Sequence, residues 1–238
     1  MNSFLNLLFP STCPVCGSDA DSHRHNPFCT SCWKGISRYS GPSCLICGLP
    51  IVSEHATYCE ACIKAPPPFS KIIYYGIYAG SLRKVIHLLK FKGIKRLAQP
   101  IAMLLSELPL PEADGIVPVP LHSKKMKERE FNQTALIGRH LSRQSGIPLL
   151  LEVLKKDKTT PPQTDVTGKE RLKNVKNAFS TGKPLTGLRL ILVDDVITTG
   201  ATVYECARVL KKAGATSVIV VALARSMPKN GDMSENSK

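Results

Sequence analysis

The sequence predicts an α/β protein, a parallel sheet flanked by helices and preceded by a small N-terminal cysteine-rich module. Three observations carry that expectation. Residues 190–193 and 218–224 are short apolar runs of the kind buried on both faces of a parallel sheet. A helical pattern lies between them, as a right-handed crossover between parallel strands requires. Eight of the nine cysteines fall within residues 13–62, in four C-x-x-C pairs, outside the α/β pattern.

The 238 residues, 43% hydrophobic and 21% charged, have room for one ordinary domain and a small one. The run at 218–224 is far too short to span a membrane. Residues 4–9 are apolar, but no basic residue precedes them and Pro10 ends the run, unlike a signal peptide. A cytoplasmic, reducing setting is expected. The net charge of +14 is uneven. In residues 1–68, Arg24, Lys34, Arg38 and Lys64 balance Asp19, Asp21, Glu54 and Glu60. The whole excess belongs to the remainder, where pyrophosphate, nucleotides or a nucleic acid are plausible partners. A basic bias is also common among proteins that never touch DNA.

The cysteine pairs are Cys13/Cys16, Cys29/Cys32, Cys44/Cys47 and Cys59/Cys62. Their regular spacing reads as a two-fold repeat of a zinc ribbon. Each knuckle offers two thiolates, and two knuckles close a tetrahedral Cys₄ site, so two structural Zn²⁺ ions are expected. Sequential pairing of knuckles is the expectation, although spacing also permits a cross-braced one. Disulfides are the rival reading, disfavoured in a reducing compartment. A redox C-x-x-C needs one pair beside a βαβ unit, not four in series. His23 and His25 are expected on an exposed loop.

Residues 65–68 end in three prolines, a stiff linker and the expected boundary between a ribbon at 1–66 and a larger domain at 69–226. A strand is expected at 72–78. Ser81 is the expected cap of a helix whose stripe is Leu82, Val85, Ile86 and Leu89. Lys90 and Lys92 flank Phe91 and are candidates to reach a phosphate, a solvated helix face being the ordinary account of such lysines. A second helix is expected at 98–108 and a buried strand at 115–121. After it, Lys124, Lys125, Lys127 and Arg129 lie on a turn and helix start. Such a basic loop can hold a pyrophosphate, and a solvated charge run is the alternative. Residues 159–173, rich in threonine and poor in apolar residues, are expected to form a mobile loop carrying Gln163 and Arg171.

The apolar strand at 190–193 ends in Asp194 and Asp195, and then come Thr198, Thr199, Gly200, Ala201 and Thr202 at a helix start. A helix N-terminus presents unpaired N–H groups and positive dipole character, which suit a phosphate. Threonine hydroxyls add donors, and Gly200 lets an anion approach the backbone. The carboxylates accept hydrogen bonds from sugar hydroxyls or help hold a divalent cation. The plainer alternative is a capping box between Thr202 and Glu205. Cys206 shares a stripe with Val203, Ala207 and Leu210 and is expected in the core. Gly214 is expected just past the helix end, before a last strand at 217–225. The polar residues 227–238 are expected to be a disordered tail.

The stretch at 187–203 resembles the phosphoribosyl-pyrophosphate (PRPP) signature of type I phosphoribosyltransferases. That resemblance implies a sheet of that type, with Asp194 and Asp195 as the catalytic acids on the ribose 2′ and 3′ hydroxyls. It implies Thr198, Thr199, Gly200, Ala201 and Thr202 around the 5′-phosphate, and Mg²⁺ bound with PRPP. Lys124, Lys125, Arg129 and Arg171 would attend the leaving pyrophosphate, with Lys173 and Lys176 as weaker candidates. The loop at 159–173 would close over the substrate. Purine-salvage members carry an acid where this chain has Thr198, which speaks against that subclass.

The ribbon, the VPVPL run at 117–121, R-x-F-N-Q at 129–133, the Gln163-to-Phe179 stretch and VDDVITTGAT at 193–202 together are similar to the ComF/GntX family of competence-associated proteins. Asn174 and Gln163 enter only through that pattern. Glu130 departs from it, since the family usually has glycine there. The resemblance implies a PRPP-binding phosphoribosyltransferase-type protein supporting DNA uptake in natural transformation. The alternative is an inactive relative that senses PRPP or nucleotides, or handles single-stranded DNA without turnover. Single-stranded DNA and proteins of the uptake machinery are the implied partners.

Overall fold

A computed structural model describes residues 12–20, 26–51, 56–158 and 175–227. Two short helices belong to the N-terminal module, α1 at Thr30–Lys34 and α2 at Glu60–Lys64. Then come β1 (Lys71–Ile77), α3 (Gly80–Phe91), a 3₁₀ turn (Lys95–Leu97) and α4 (Ala98–Ser106). β2 (Gly115–Pro118), α5 (Ser123–Arg129) and α6 (Gln133–Ser145) follow. The two-residue strands β3 (Lys155–Lys156) and β4 (Phe179–Ser180) form an antiparallel pair. The chain continues through β5 (Arg189–Ile197), α7 (Ala201–Lys212) and β6 (Ser217–Arg225).

The four longer strands make a fully parallel sheet in the order β1-β6-β5-β2. Side chains alternate across it, so neighbouring residues of β5 serve opposite faces. Ile191 and Val193 pack with Val85, Ile86, Ile101 and Ile137 on the α3/α4/α6 side. Leu190 and Leu192 pack with Val203, Cys206, Ala207 and Leu210 on the α7 side. Cys206 is fully buried among them, as its helical stripe predicts. Burying each such aliphatic side chain contributes about 1.5–3 kcal/mol.

Both sheet edges are closed. On the β2 edge, the Ile116 N–H donates to the Pro148 carbonyl and the Leu150 N–H to the Ile116 carbonyl, both at 2.8 Å. On the β1 edge the cysteine module does the covering. The Tyr39 N–H donates to the Tyr75 carbonyl (2.8 Å), and the Ile72 N–H to the Ile46 carbonyl (2.7 Å). The module straddles the strand. Cys13, Phe28, Cys29 and Ile36 join the core on the α3 side, whereas Ile46 and Cys47 pack on the α7 side. Gly76 shows how close the approach is, since a Cβ there would stand 2.6 Å from the Ser37 carbonyl oxygen.

Two local expectations give way. Ser81 does not cap α3: the helix begins at Gly80 (φ +51°), after Ala79, with no side-chain cap bond. The left-handed Gly80 turns the chain into the helix one residue sooner. The Thr202–Glu205 capping box is also absent, because Glu205 turns to Arg208 and to the Asn177 N–H (2.7 Å). That contact anchors the chain just before β4 on α7.

Candidate functional site

The acid pair ends the central strand β5 and is buried: Asp194 is 9% and Asp195 3% exposed. Asp195 is held from the α3 side of the sheet. Lys90 Nζ, from the last turn of α3, lies 2.9 Å from Oδ2 and 3.1 Å from Oδ1. Gln133 Nε2, at the start of α6, donates to Oδ2 at 2.9 Å. Asp194 Oδ1 accepts the Asp195 N–H at 2.8 Å.

These surroundings drive the two acids apart. Burial first, then the Asp195 charge, push the Asp194 carboxyl up to about 7, against the pull of Lys90 and Lys156. Burial also works to raise Asp195, but the Lys90 charge and hydrogen bond, with the Gln133 bond, outweigh it and hold the carboxyl below its ordinary range. Lys90 moves reciprocally: burial works against its charge, yet Asp195 holds it above the usual lysine value.

Around this pair stand the cations Lys125, Arg129 and Lys156. Burial depresses Lys125, and repulsion from Arg129 and Lys90 adds to it. Burial likewise depresses Arg129, whose guanidinium stacks 4.9 Å from the Phe91 ring and donates from Nη1 to Gln133 Oε1 at 3.4 Å. Lys156, on β3, is lowered by burial and then by Lys125. A polyanion arriving here would relieve that mutual repulsion. Asn132 caps α6, and its Nδ2 with the Thr134 hydroxyl holds the Val119 carbonyl, which fixes the chain carrying Arg129 against β2.

The turn after β5 adds an anion-shaped element. Gly200 is the N-cap of α7 at φ +84°, with no side-chain cap bond, and the space a Cβ would fill there is open. Thr198 and Thr199 are exposed and Thr202 is half-buried, while the Ala201 N–H meets Thr199 Oγ1 at 3.4 Å. Arg225, at the end of β6, donates from Nη1 to the Thr198 carbonyl at 2.7 Å. The turn is thereby fixed from behind, and its outer face is left to a ligand. Two clefts of about 430 and 400 Å³ lie elsewhere, one beside Phe179 and Arg208 and one beside Tyr39 and Gly80. Depth alone does not mark where the charge gathers.

The eight ribbon cysteines form two groups in sequential pairing, Cys13, Cys16, Cys29 and Cys32, then Cys44, Cys47, Cys59 and Cys62. Within each group the sulfurs lie within 4.8 Å of one another, with Cys16–Cys29 at 3.6 Å and Cys47–Cys59 at 3.5 Å. Ligands about 2.3 Å from a tetrahedral zinc stand roughly 3.8 Å apart, so both groups fit a structural ion.

The structure therefore gathers Asp194, Asp195, Lys125 and Arg129 with the 198–202 turn. Lys124 is exposed, and its N–H meets His122 Nδ1 at 3.2 Å. Lys90 joins the acids, whereas the exposed Lys92 stays out of that network among the described contacts. Arg171, Gln163, Lys173, Asn174, His23, His25 and the 4–9 run lie outside the described residues. Gln133, Lys156 and Arg225 are the contributors sequence reasoning missed; the R-x-F-N-Q run was the one available signal, for Gln133. Glu130, the departure from the family pattern, has a backbone setting that accounts for it. It is the α5 C-cap at φ +63°, a left-handed conformation that glycine adopts without cost.

A double zinc ribbon domain model matches residues 4–63, and a phosphoribosyl transferase domain model matches 135–237. The chain is 33% identical over 231 residues to the DNA utilization protein YhgH of Escherichia coli (strain K12), covering 93% of this chain and 100% of that protein. It is 35% identical over 214 residues to Competence protein F of Haemophilus influenzae, covering 84% and 91%. Among solved structures, purine phosphoribosyltransferase from Pyrococcus horikoshii Ot3 aligns at 22% identity and a TM-score of 0.35, over 52% of this chain and 69% of that one.

Proposed function

This chain belongs to the ComF/YhgH family, which joins a double zinc ribbon to a phosphoribosyltransferase domain, and from that premise we propose that it binds PRPP with Mg²⁺ and supports the uptake or utilization of DNA. The observation that carries the reading is the gathering of Lys125, Arg129 and Lys156 beside a buried acid pair and a helix N-terminus without a side-chain cap. A ligand with a diol flanked by two phosphate groups matches all three parts at once.

In this reading Asp194 and Asp195 orient the ribose, directly or through Mg²⁺, and Thr198, Thr199, Gly200, Ala201 and Thr202 take the 5′-phosphate. Lys125 and Arg129, with Lys90 and Lys156 behind them, meet the pyrophosphate; Lys124 and Arg171 are assigned to the same group. Turnover would form a bond from an acceptor nucleophile to ribose C1 and break the bond to the departing pyrophosphate. The residues named hold both phosphates and offset the leaving charge. The DNA role draws on the names of the relatives and on the excess positive charge outside residues 1–68.

Binding without turnover is the second reading, favoured by one feature: the 198–202 turn carries hydroxyls and no carboxylate. Such a turn can hold a phosphate but offers no base to activate an acceptor. Calorimetry with Mg²⁺ and PRPP tests the common core of both. Wild type is expected to bind and Asp194→Asn/Asp195→Asn to lose binding. A wild type that gives no heat would remove PRPP from the account. Given binding, pyrophosphate release across an acceptor panel separates the two readings.

A further inference from the structure

Arg225 is 4% exposed, and its Nε lacks a hydrogen-bond partner. None of the ion pairs among the described residues includes it. A buried cation without a counter-charge is strongly disfavoured, so one has to be supplied. The position on the sheet shows from where. Arg225 stands in register with Ile77 of β1 on one side and Ile197 of β5 on the other. On the β1 side the third cysteine knuckle, Cys44/Cys47, is bonded to the strand where Ile46 meets Ile72, and Cys47 packs into the same core as Ile77. Burial pushes the guanidinium down, and the groups that offset it are Cys47, Tyr74, Cys59 and Cys62. Four thiolates around one Zn²⁺ carry a formal excess of two negative charges, a suitable counter-ion.

We propose that Arg225 is a positioning residue shared by the second zinc site and the phosphate turn. It neutralises the tetrathiolate of Cys44, Cys47, Cys59 and Cys62 and at the same time holds the Thr198 carbonyl, so loss of that zinc loosens the 198–202 turn. The second half rests on reading those residues as the phosphate turn. The first site provides an internal control, because Cys13 and Cys29 pack on the opposite face of the sheet.

The test uses the full chain loaded with two zinc ions and no PRPP. Zinc release to a colorimetric chelator is followed together with amide hydrogen exchange of a peptide spanning 196–203. Cys59→Ser is expected to speed exchange in the turn at least ten-fold, and Cys16→Ser to leave it unchanged. Arg225→Met should release one of its two zinc ions at least five-fold faster and speed the turn likewise. Wild-type turn exchange in Cys59→Ser, or wild-type release of both ions in Arg225→Met, overturns the proposal. If either variant unfolds, seen as fast exchange at 190–193, Arg225→Lys decides. It keeps the charge and should hold both zinc ions while the turn, without its guanidinium fork, exchanges faster; unchanged turn exchange refutes the coupling. A wild type that fails to bind PRPP would sink the proposed function and leave these readouts untouched.

Discussion

Replacing Asp194 by asparagine should make the protein more stable at pH 8 and stabilise it by less than half as much at pH 5. The new amide would keep an oxygen for the Asp195 N–H, now 2.8 Å from Asp194 Oδ1, so the substitution removes a charge and little else. The folded carboxyl titrates at about 7, against an ordinary value of 3.8. The native state thus retains this proton over a range where the unfolded chain has released it. For such a raised acid, stability is greatest below the unfolded value and falls as pH rises from roughly 4 to 7. A shift of about three units corresponds to a ceiling of ~4 kcal/mol above pH 7. Sharing that penalty with Asp195 leaves ~2 kcal/mol as the expected gain, or about 5 °C in melting temperature for a chain of this size. Thermal melts of both proteins at pH 5 and 8, at constant zinc and ionic strength, measure it. An asparagine variant that melts below wild type at pH 8, or gains equally at both pH values, refutes the reasoning. The cations would then be holding Asp194 ionised and stabilising. The same variant should lose PRPP affinity, because a site built to receive a ligand is strained without it.

Glu130→Gly should stabilise the chain by ~0.5–1 kcal/mol: it relieves a left-handed residue at the α5 C-cap, less the entropy of a freer unfolded chain. Denaturant midpoints report the sign, and a lower midpoint would mean the Glu130 side chain contributes more than its backbone costs. Gly76→Ala should destabilise by roughly 1–3 kcal/mol, since its Cβ meets a backbone oxygen, Ser37, that no rotamer change can move. Faster hydrogen exchange at 37–39 would locate the damage at the ribbon's seam, and an undisturbed seam would count against it. Lys90→Met should cost about 3 kcal/mol by leaving Asp195 buried without its ion-pair partner, and the loss should shrink as pH falls and the acid takes a proton. A pH-independent loss would assign Lys90 a packing role.

What the sequence discloses here is what sits close together in the chain. The four knuckles, the β5 run, Asp194 and Asp195 and the 198–202 turn are contiguous motifs whose spacing encodes their geometry. β6 covers the 217–225 span expected of it, one residue beyond its apolar run at each end. The partners of those motifs are hidden because they arrive through the fold. Lys90 reaches Asp195 across 105 residues and Gln133 across 62. Nothing local separates Lys90, which pairs, from Lys92, which has no ion pair among the described residues; only the phase of α3 against the sheet does. Arg225 reads as the polar end of an apolar strand, although its burial sets it apart. Glu130 was visible as a departure, but its meaning depended on a backbone angle that composition does not carry.

The cysteine module's grip on β1 has a consequence for what happens when metal is scarce. The strand Lys71–Ile77, already paired with β6 on one side, has its other side occupied by the loops of the cysteine module, which two bound zinc ions would shape. Remove the ions and the loops lose their form, leaving a row of backbone donors and acceptors beside Ile72, Tyr74 and Tyr75 open to another chain. Metal starvation would then do more than silence a site. It would uncover a template for self-association, so light scattering on chelation should rise with protein concentration and subside when zinc is restored early.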